Sequence, residues 1–566
     1  MISNILLLAL PLALAYLFSA LWHRRFKQFA DFPQLKPSLL WGHLKALHEF
    51  TLKATPGVHH DAVLANVAKA LGNPPLMMFD LRPVSYPMVV VTSHEVAEQI
   101  SRVSKAFPWS TPKSPTMGAL VSLVGPQSII TKQNEDWKQL RKRFNPGFAP
   151  QHLMSLLPCI LDKTDIFLER LDRYASSGQE FRLLKLTIEL TFDIIGAITM
   201  NVDFDAQHSQ SSAQGEFIRL YDQLLQEYGA KDGRLPWWMY PRREWRRWRL
   251  GKQIDRRLDD MIRQKHGEQL QLKRQQEEEA NGKATRSRSR DILSLSLQDS
   301  QELTGDLLSE TRDQIKTFLF AGHDTTGILM AWLFYELSRS PRVLQAVRDE
   351  LDDLFGPDPD PAVVRQKLLD PDPNSDGGEE LIHRMTYTTA VIKEVLRLYP
   401  PAGTARMTRP GTGFTVRTPD GRSYCLDGTI LYNCATIIQR DRAVFGDNAD
   451  EFYPERWLGD KSGIMSAGAN NDNDSHNEQQ HQDGNNRKQQ YPPGAWRPFE
   501  RGPRNCIGQD LATIEARVIV AAVARRYDFV KVGLGELDRD EKGRPMLDEE
   551  KGQYKTKSEV YNVSTK

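Results

Sequence analysis

One cysteine near the C-terminus restricts how this chain can fold. Cys506 stands in the loop-like stretch FERGPRNCIG, and a stretch with helical spacing, CIGQDLATIEARVIVAAVARRY, begins at the same residue. The positive end of a helix favours a thiolate over a thiol, and its backbone N–H groups can hydrogen-bond the sulfur. Gly502 and Gly508 remove Cβ atoms where a large, flat group could come close. Arg504 lies two residues from the sulfur, where it could pair with a carboxylate of that group.

A thiolate flanked by glycines and an arginine suits an iron porphyrin, which carries propionates. The alternative is an inert, buried cysteine, and we expect that for Cys159, Cys425 and Cys434. For Cys506 this alternative leaves the glycines and arginines of the loop unexplained. The chain has four cysteines and no CxxC pair, so a zinc ribbon, a thioredoxin-type site and a disulfide framework are all disfavoured.

The N-terminus predicts a membrane anchor. Residues 2–22 carry no charge, and HRRFK follows directly, which predicts a spanning helix whose basic side stays in the cytosol. A cleaved signal peptide is the alternative, but its charges normally precede the apolar run. Residues 23–45 contain Pro33 and Pro37 and read as a stiff tether, and residues 46–566 as the catalytic domain. A single-pass protein of the endoplasmic reticulum membrane with a cytosolic catalytic domain is the predicted topology.

Most of the remaining sequence has helical spacing, and strand-like text is short, so the predicted fold is mainly α with small β-sheets. Two segments, at about 273–290 and 461–490, contain too few apolar residues to pack and are predicted to be disordered insertions. The formal net charge of +1 does not produce the overall positive potential that is typical of nucleic-acid-binding proteins. The aromatic and arginine-rich residues 235–250 therefore suit a lipid headgroup region better, and we expect Trp237, Trp238 and Met239 to enter it.

The stretch FERGPRNCIG resembles the haem-binding signature of the cytochrome P450 superfamily. Five residues fall in register with that signature: Phe499, Gly502, Arg504, Cys506 and Gly508. The resemblance implies the cytochrome P450 fold after the anchor, with haem b as the cofactor. It implies that Cys506 is the thiolate ligand of the iron, that Phe499 packs against it and that Arg504 pairs with a haem propionate.

Three further motifs agree with this resemblance. Glu394 and Arg397 lie at i, i+3 in KEVLRLYPP, where their charges can meet on one helix face. On its own this pair is common surface decoration, but it resembles the family's ExxR element. Arg456 in FYPERW then matches the third member of the Glu-Arg-Arg cluster, which would brace the haem-side loop. Trp137 and Arg141 match a Trp-x-x-x-Arg pair that reaches a haem propionate, and Arg406 is a further candidate for such a contact.

The stretch FLFAGHDTTG lies inside a long apolar helical stretch. Phe318, Gly322 and Thr325 fall on one stripe, and a mid-helix glycine costs about 1 kcal/mol relative to alanine, so a plain core helix would not choose these residues. Thr325 can bond back to the carbonyl of Ala321 and loosen the helix there. The stretch resembles the family's oxygen-binding segment, in which Asp324 and Thr325 match the acid–alcohol pair that relays protons. His323 occupies a variable position and is taken as a bystander.

The resemblance implies a monooxygenase that oxidises an apolar small molecule by hydroxylation, epoxidation or desaturation. The chain has no dinucleotide-binding motif, so two electrons must come from NADPH through a separate reductase, with cytochrome b5 as a second candidate donor. Docking charges are expected on the cysteine side at Lys138, Lys142, Arg143 and Arg501. A fungal secondary metabolite such as a polyketide is the expected substrate. The alternatives are a haem-thiolate isomerase or dehydratase, a haem-based sensor and a cofactor-free tethered protein.

Overall fold

The computed structural model of the 566-residue chain describes residues 2–55, 57–208, 215–229, 240–278, 291–370, 372, 377–459 and 491–558. The first half of the described chain contains the helices α1 Ile2–Phe26, α2 Leu44–Lys53, α3 His60–Ala70, α4 His94–Ser101, α5 Val121–Val124, α6 Asn134–Phe144, α7 Pro150–Ser155, α8 Leu157–Ser177, α9 Leu183–Met200, α10 Glu216–Gly229 and α11 Pro241–Glu278. The second half contains α12 Ile292–Ser296, α13 Gly305–Arg339, α14 Pro341–Phe355, α15 Pro361–Leu368, α16 Gly378–Arg384, α17 Thr386–Leu398, α18 Ala435–Ile438, α19 Arg442–Phe445 and α20 Gln509–Val523.

The strands are short and form three small sheets within the described residues. They are β1 Leu76–Phe79, β2 Met88–Val91, β3 Ala405–Met407, β4 Thr415–Arg417, β5 Ser423–Cys425, β6 Ile430–Asn433, β7 Leu547–Asp548 and β8 Gln553–Tyr554. The largest sheet has the order β1-β2-β6-β3, with β2 and β6 parallel and the other two pairs antiparallel. The predicted fold class, mainly helical with small sheets, is therefore confirmed.

Helix α13 runs through the centre of the main core. Its N-cap Thr304 accepts a hydrogen bond from the backbone N–H of Leu307, and the helix ends at Arg339, two residues before Pro341, which starts α14. Apolar residues of α13 pack together with those of α8, α9, α17 and α20 in one hydrophobic cluster. Phe318 of α13 belongs to this cluster, and Phe499 and Ile507 of the loop before α20 pack against it.

The N-terminal helix α1 is attached to the sheet at its last turn. Arg25 is 6% exposed, forms an ion pair of 2.6 Å with Asp80 and donates to the backbone carbonyls of Leu39, Leu40 and Arg82. Arg82 in turn donates to Asp80, and its Nη2 donates to the carbonyl of Arg24. The segment after residue 22, predicted to be a stiff tether, is therefore fixed to the domain at Arg25 by buried charges.

Within the described residues, no helix has the length and apolar character that a membrane crossing requires. The spanning helix predicted over 2–22 is therefore not supported, and the side chains of its first positions, up to residue 9, lie outside the described part. Helix α11 continues through Glu278, six residues into the predicted insertion 273–290, because Lys, Arg, Gln and Glu are good helix formers. Three predicted features also lie outside the described residues: the rest of the insertion 273–290, the second insertion at 461–490, and the three residues Trp237, Trp238 and Met239.

Candidate functional site

The cysteine loop folds back on itself directly before α20. The N–H of Cys506 donates to the carbonyl of Phe499 at 2.9 Å, and Glu500 and Gly502 both have positive φ, at 56° and 76°. A Cβ at Gly502 would lie 2.1 Å from the carbonyl oxygen of Ser101 at the end of α4. The backbone of α4 therefore requires a glycine here, and the predicted role of Gly502 beside a bound group stays a prediction. A Cβ at Gly508 would lie 4.0 Å from the sulfur of Cys506, so that glycine does border the sulfur.

The electrostatic surroundings of Cys506 differ from the sequence expectation. Burial raises the pKa of the Cys506 thiol, while the Gly508 N–H and the charges of Arg141 and Lys113 lower it, and the net direction is upward. The helix end was predicted to favour the thiolate; the Gly508 N–H does lower the pKa, but desolvation has the larger effect. The Cys506 side chain nevertheless has exposed surface. A metal ion bound at this surface would hold the sulfur as a thiolate.

A group of cations surrounds this loop. Arg141 donates to the carbonyl of Asn505 at 2.8 Å and to its Oδ1 at 3.1 Å. The guanidinium of Arg504 lies 4.9 Å from the centre of the Trp137 ring and donates to Gln133 and to the carbonyls of Ile129 and Lys132. Burial and the charges of Arg406 and Arg141 lower the pKa of Arg504 to about 9. These residues therefore hold an excess of positive charge beside the sulfur.

Arg406 and Lys113 complete this cationic group from the opposite side. Arg406 on β3 is 0% exposed and donates from Nη1 to Ser110 Oγ and to the carbonyl of Thr111, but its Nε and Nη2 have no hydrogen-bond partner among the described residues. The carboxylate of Glu500 lies 3.6 Å from Arg406 Nη2. Burial and the charges of Arg406 and Arg504 hold the pKa of Lys113 well below its usual value. Buried cations with free N–H groups are matched to an anionic ligand.

The Glu-Arg-Arg cluster forms as its spacing predicts. Arg397 donates from Nε and Nη2 to the two oxygens of Glu394 at 2.9 and 2.7 Å, and Arg456 donates to Glu394 Oε1 at 3.0 Å. The side chains of Glu394 and Arg397 are both 0% exposed. Arg397 also donates to the carbonyls of Gln439 and Ala449. A buried bidentate pair with every partner in place fixes the chain that leads to the cysteine loop.

The middle of α13 is shaped by its own threonine and by α9. Thr325 Oγ1 donates to the carbonyl of Ala321 at 2.7 Å, which is the back-bond expected from the sequence. A Cβ at Gly322 would lie 2.7 Å from Ile195, so this glycine is required by packing against α9. Phe318, on the same predicted stripe, instead contacts the rings of Phe144 and Phe148, at 5.2 and 5.1 Å between centroids.

Comparison with known proteins identifies one family along nearly the whole chain. The model of the family described as "Cytochrome P450" matches residues 55–556. The chain belongs to the cytochrome P450 family. It is 30% identical to the cytochrome P450 monooxygenase acrF of Aspergillus aculeatus, over 84% of this chain and 89% of that protein. It is 26% identical to the cytochrome P450 monooxygenase polC of Polytolypa hystricis, over 93% of this chain and 87% of that protein.

Solved structures agree on the fold. The haem domain of cytochrome P450DA superposes with a TM-score of 0.63 at 17% identity, covering 94% of this chain and 96% of that one. The chain is therefore an enzyme of the cytochrome P450 monooxygenase family, which implies a haem bound through a thiolate. The residues around Cys506 fit such a group, because Arg406 and Arg504 have buried N–H groups without a hydrogen-bond partner among the described residues, which could bind its propionates.

Several residues of this P450 site gave no signal in the sequence. Lys113 reaches Thr404 at 2.5 Å across 291 positions of the chain, and Gln439 is buried between the Glu-Arg-Arg cluster and the cysteine loop. Thr187 and Thr191 on α9 donate to the carbonyls of Gly327 and His323 on α13, at 2.8 and 2.6 Å. Only a helical spacing of four between the two threonines hints that they share a face.

The predicted docking charges divide into two groups. Lys138 and Lys142 are exposed and line an open cleft together with Trp137 and Arg141. Arg501 is half-buried and forms an ion pair of 3.2 Å with Glu98. Arg143 forms an ion pair of 2.7 Å with Glu310 and donates to Ser296 and Thr311. The guanidinium of Arg143 is therefore engaged within the fold, and its role in docking stays a prediction.

Proposed function

We propose that this P450 uses dioxygen and two electrons from NADPH, delivered by a separate reductase, to oxidise an apolar small molecule by hydroxylation, epoxidation or desaturation. Haem b, held by Cys506, would supply the oxygen-activating chemistry. The observation that carries this proposal is the cysteine loop, in which Cys506 lies among buried cations directly before α20. A reductase partner is supported by one relative, the bifunctional cytochrome P450/NADPH–P450 reductase ALT2 of Alternaria alternata, 24% identical over 82% of this chain and 36% of that protein.

The chain's own residues would have distinct tasks. Arg141, Arg406 and Arg504 would orient the haem propionates, and Lys113 would add a further positive charge on that side. Asp324 and Thr325 would pass protons toward the reacting oxygen, with Thr325 held by Ala321. Glu394, Arg397 and Arg456 would hold the cysteine loop without taking part in the chemistry.

The test of this proposal is spectroscopic. Reduced, carbon-monoxide-treated protein should show the absorption of a thiolate-ligated haem, and Cys506→Ala should lose it. Cys434→Ala is the matched control, because Cys434 is a fully buried thiol on the sheet side of the molecule. Thiolate-type absorption that persists in the Cys506 variant would overturn the assignment of the ligand.

The class of reaction needs a second experiment. Protein mixed with an NADPH-dependent P450 reductase and candidate fungal polyketides should consume NADPH and give products heavier by one oxygen or lighter by two hydrogens. A haem-thiolate isomerase or dehydratase would convert substrate without NADPH. A sensor would bind a gas molecule and would consume neither NADPH nor substrate. The acid–alcohol pair Asp324 and Thr325 favours the oxygen-using reaction.

We also propose attachment to the endoplasmic reticulum membrane through α1, with the catalytic domain in the cytosol. The apolar side chains of α1 from Leu10 onward are largely exposed, with Leu12 and Tyr16 70% and 73% exposed. Unpartnered apolar surface of this kind suits lipid. Membrane fractions washed with carbonate should retain the full chain and release a variant that lacks residues 2–22.

A further inference from the structure

Glu500 has a backbone conformation that glutamate rarely adopts. Its φ is 56°, in the left-handed region that is open to glycine but disfavoured for residues with a Cβ. Its N–H donates to the carbonyl of Arg497 at 3.1 Å, which closes the turn that leads into the cysteine loop. A glycine at position 500 would form this turn without strain. The side chain of Glu500 therefore calls for an explanation beyond the shape of the loop.

The carboxylate of Glu500 lies between two buried guanidinium groups. Its Oε2 is 3.6 Å from Nη2 of Arg406 and 3.6 Å from Nη2 of Arg497, and both arginine side chains are 0% exposed. Its Oε1 accepts a hydrogen bond from Asn433 Nδ2 at 3.3 Å, and its Oε2 accepts one from Ser101 Oγ at 3.4 Å. Glu500 thus brings a fixed negative charge to the cations beside Cys506.

The two arginines keep free N–H groups in spite of these ion pairs. Nε and Nη2 of Arg406 and Nε of Arg497 have no hydrogen-bond partner among the described residues. At 3.6 Å the carboxylate attracts both charges but is too distant to accept a hydrogen bond from either. Burial raises the pKa of Glu500, but the charges of Arg497, Arg406 and Lys113 outweigh it, so the residue is an anion near pH 7. The free N–H groups of Arg406 therefore remain available to a second anion, beside the first.

Two anions that share one guanidinium group repel each other. The charge of Glu500 therefore weakens the binding of a haem propionate by Arg406. The same charge favours ferric over ferrous iron, because the ferric form carries one more positive charge. Before haem binds, Glu500 instead offsets part of the repulsion between Arg406 and Arg497, which would otherwise be buried without a counter-ion.

We propose that Glu500 is a positioning residue that acts through Arg406 and Arg497. It keeps the two guanidinium groups in place before haem binds, and its charge then weakens their binding of the propionates and lowers the reduction potential of the haem. This inference rests on one part of the proposed function, the binding of haem by Cys506. It depends neither on the substrate nor on the use of dioxygen.

Three variants of Glu500 separate its charge from its shape. Glu500→Gln can still accept the hydrogen bond from Asn433, and Glu500→Gly suits the positive φ and serves if the glutamine variant folds poorly. In the haem-loaded protein, we expect the ratio of ferrous to ferric haem at a fixed potential to rise about three- to tenfold in both neutral variants, and tenfold equals about 59 mV. Glu500→Asp keeps the charge, tolerates the positive φ and should stay near the wild-type potential.

Haem retention and stability should change in opposite directions in Glu500→Gln. Transfer of haem to apomyoglobin should be about threefold slower than in the wild type, because the propionates no longer compete with a carboxylate for Arg406. The haem-free variant should unfold at a lower denaturant concentration, because two buried cations lose their counter-ion. A residue that only supports the loop would lose both haem retention and stability.

Glu336→Gln is the matched control, at a second buried carboxylate. Its Oε2 lies 3.9 Å from Arg339 Nε, and the side chain accepts hydrogen bonds from Tyr399 at 2.6 Å and Gln553 at 3.0 Å. It lies on α13, about three helical turns beyond Thr325. This variant should lower stability and leave the haem potential unchanged.

Three results would overturn the proposal: unchanged potentials in both neutral variants, a shift of the same size in Glu500→Asp, or faster haem loss in Glu500→Gln. Failure of the proposed function is seen separately. If the wild type binds haem through Cys506 but consumes no NADPH with reductase, only the oxygen-using reaction fails, and the potentials still decide the role of Glu500. If the wild type binds no haem, both fail.

Discussion

Among single residues, Gln439 joins two buried parts of the site that are far apart in the sequence. Its Nε2 donates to the carbonyls of Leu396 and Arg397, and its Oε1 accepts from the N–H of Arg497, two residues before Phe499. Its own carbonyl accepts from Arg397. The Gln439 amide thus links the Glu-Arg-Arg cluster to the start of the cysteine loop by hydrogen bonds.

Gln439→Leu should weaken both the fold and the retention of haem. The change leaves two carbonyls and one N–H without a side-chain partner in a site that is 0% exposed, so we expect a loss of about 2–4 kcal/mol in the free energy of unfolding. Denaturant titration and the rate of haem transfer to apomyoglobin measure the two effects. Gln345→Leu, at an exposed amide that donates to Asp349, is the control. Equal stability of the two variants would contradict this role.

Contacts that are local in sequence were predictable, and contacts between distant segments were not. Glu394 and Arg397 are one helical turn apart, and Thr325 bonds Ala321 within its own helix, so spacing alone identified both. The partner of Gly502 is the carbonyl of Ser101, about four hundred positions away, and no pattern near Gly502 indicates it. The sequence therefore located the cysteine loop but did not reveal the contact of Gly502 with α4.

Between elements, α9 packs closely against α13 at two glycines of α13, Gly322 and Gly327. A Cβ at Gly327 would lie 2.8 Å from Ile188 and 3.0 Å from its backbone N, and Gly322 is equally restricted by Ile195. At this short separation Thr187 and Thr191 reach the carbonyls of Gly327 and His323. The shape of the oxygen-binding segment is therefore set jointly by both helices.

Replacing both threonines by valine should loosen α13 at this segment. Valine keeps the volume and removes the two interhelical donors, so we expect a loss of about 1–3 kcal/mol in the free energy of unfolding and a lower product yield per NADPH. The control is Thr164→Val, which removes a buried hydroxyl that bonds within its own helix, to Ile160. If the control and the double variant lose the same product yield, α9 does not shape the segment.

Helix boundaries show where sequence patterns stop being informative. The apolar spacing of α13 and α20 predicted both helices, because each buries residues on a regular repeat. The far end of α11 carries a run of charged and amide side chains, which composition assigned to a disordered insertion. Composition measures what a segment can bury, while an existing helix can extend through good helix formers without burying them.

For the molecule as a whole, Asp193 makes stability depend on pH in the opposite sense to a typical surface acid. Its carboxylate accepts the N–H groups of Ala206 and Gln207 at 2.8 and 3.0 Å, and it is 1% exposed. Burial raises its pKa from 3.8 to about 6, although the two N–H groups lower it. The folded chain therefore binds a proton that the unfolded chain has already released between these values.

Stability should consequently fall as pH rises from about 4 to about 6, by up to about 3 kcal/mol from this group. Asp193→Asn cannot titrate, so the difference in free energy of unfolding between wild type and variant should move in favour of the variant over this range and then level off. Denaturant titrations at half-unit steps of pH measure it, with exposed Asp205→Asn as the control. A difference that is flat with pH would show that Asp193 titrates normally.

The ion pair between Arg25 and Asp80 has a consequence for anyone who exchanges the first 22 residues of this enzyme. Arg25 lies beyond the apolar stretch. A foreign helix joined in register at residue 22 would therefore leave the ion pair and the hydrogen bonds of Arg25 intact. The contacts of Arg25 with the catalytic domain would then set the angle of the foreign helix, provided the helix runs unbroken through the junction. A junction placed after residue 25 would instead remove Arg25, and these contacts would no longer fix the angle of the foreign helix.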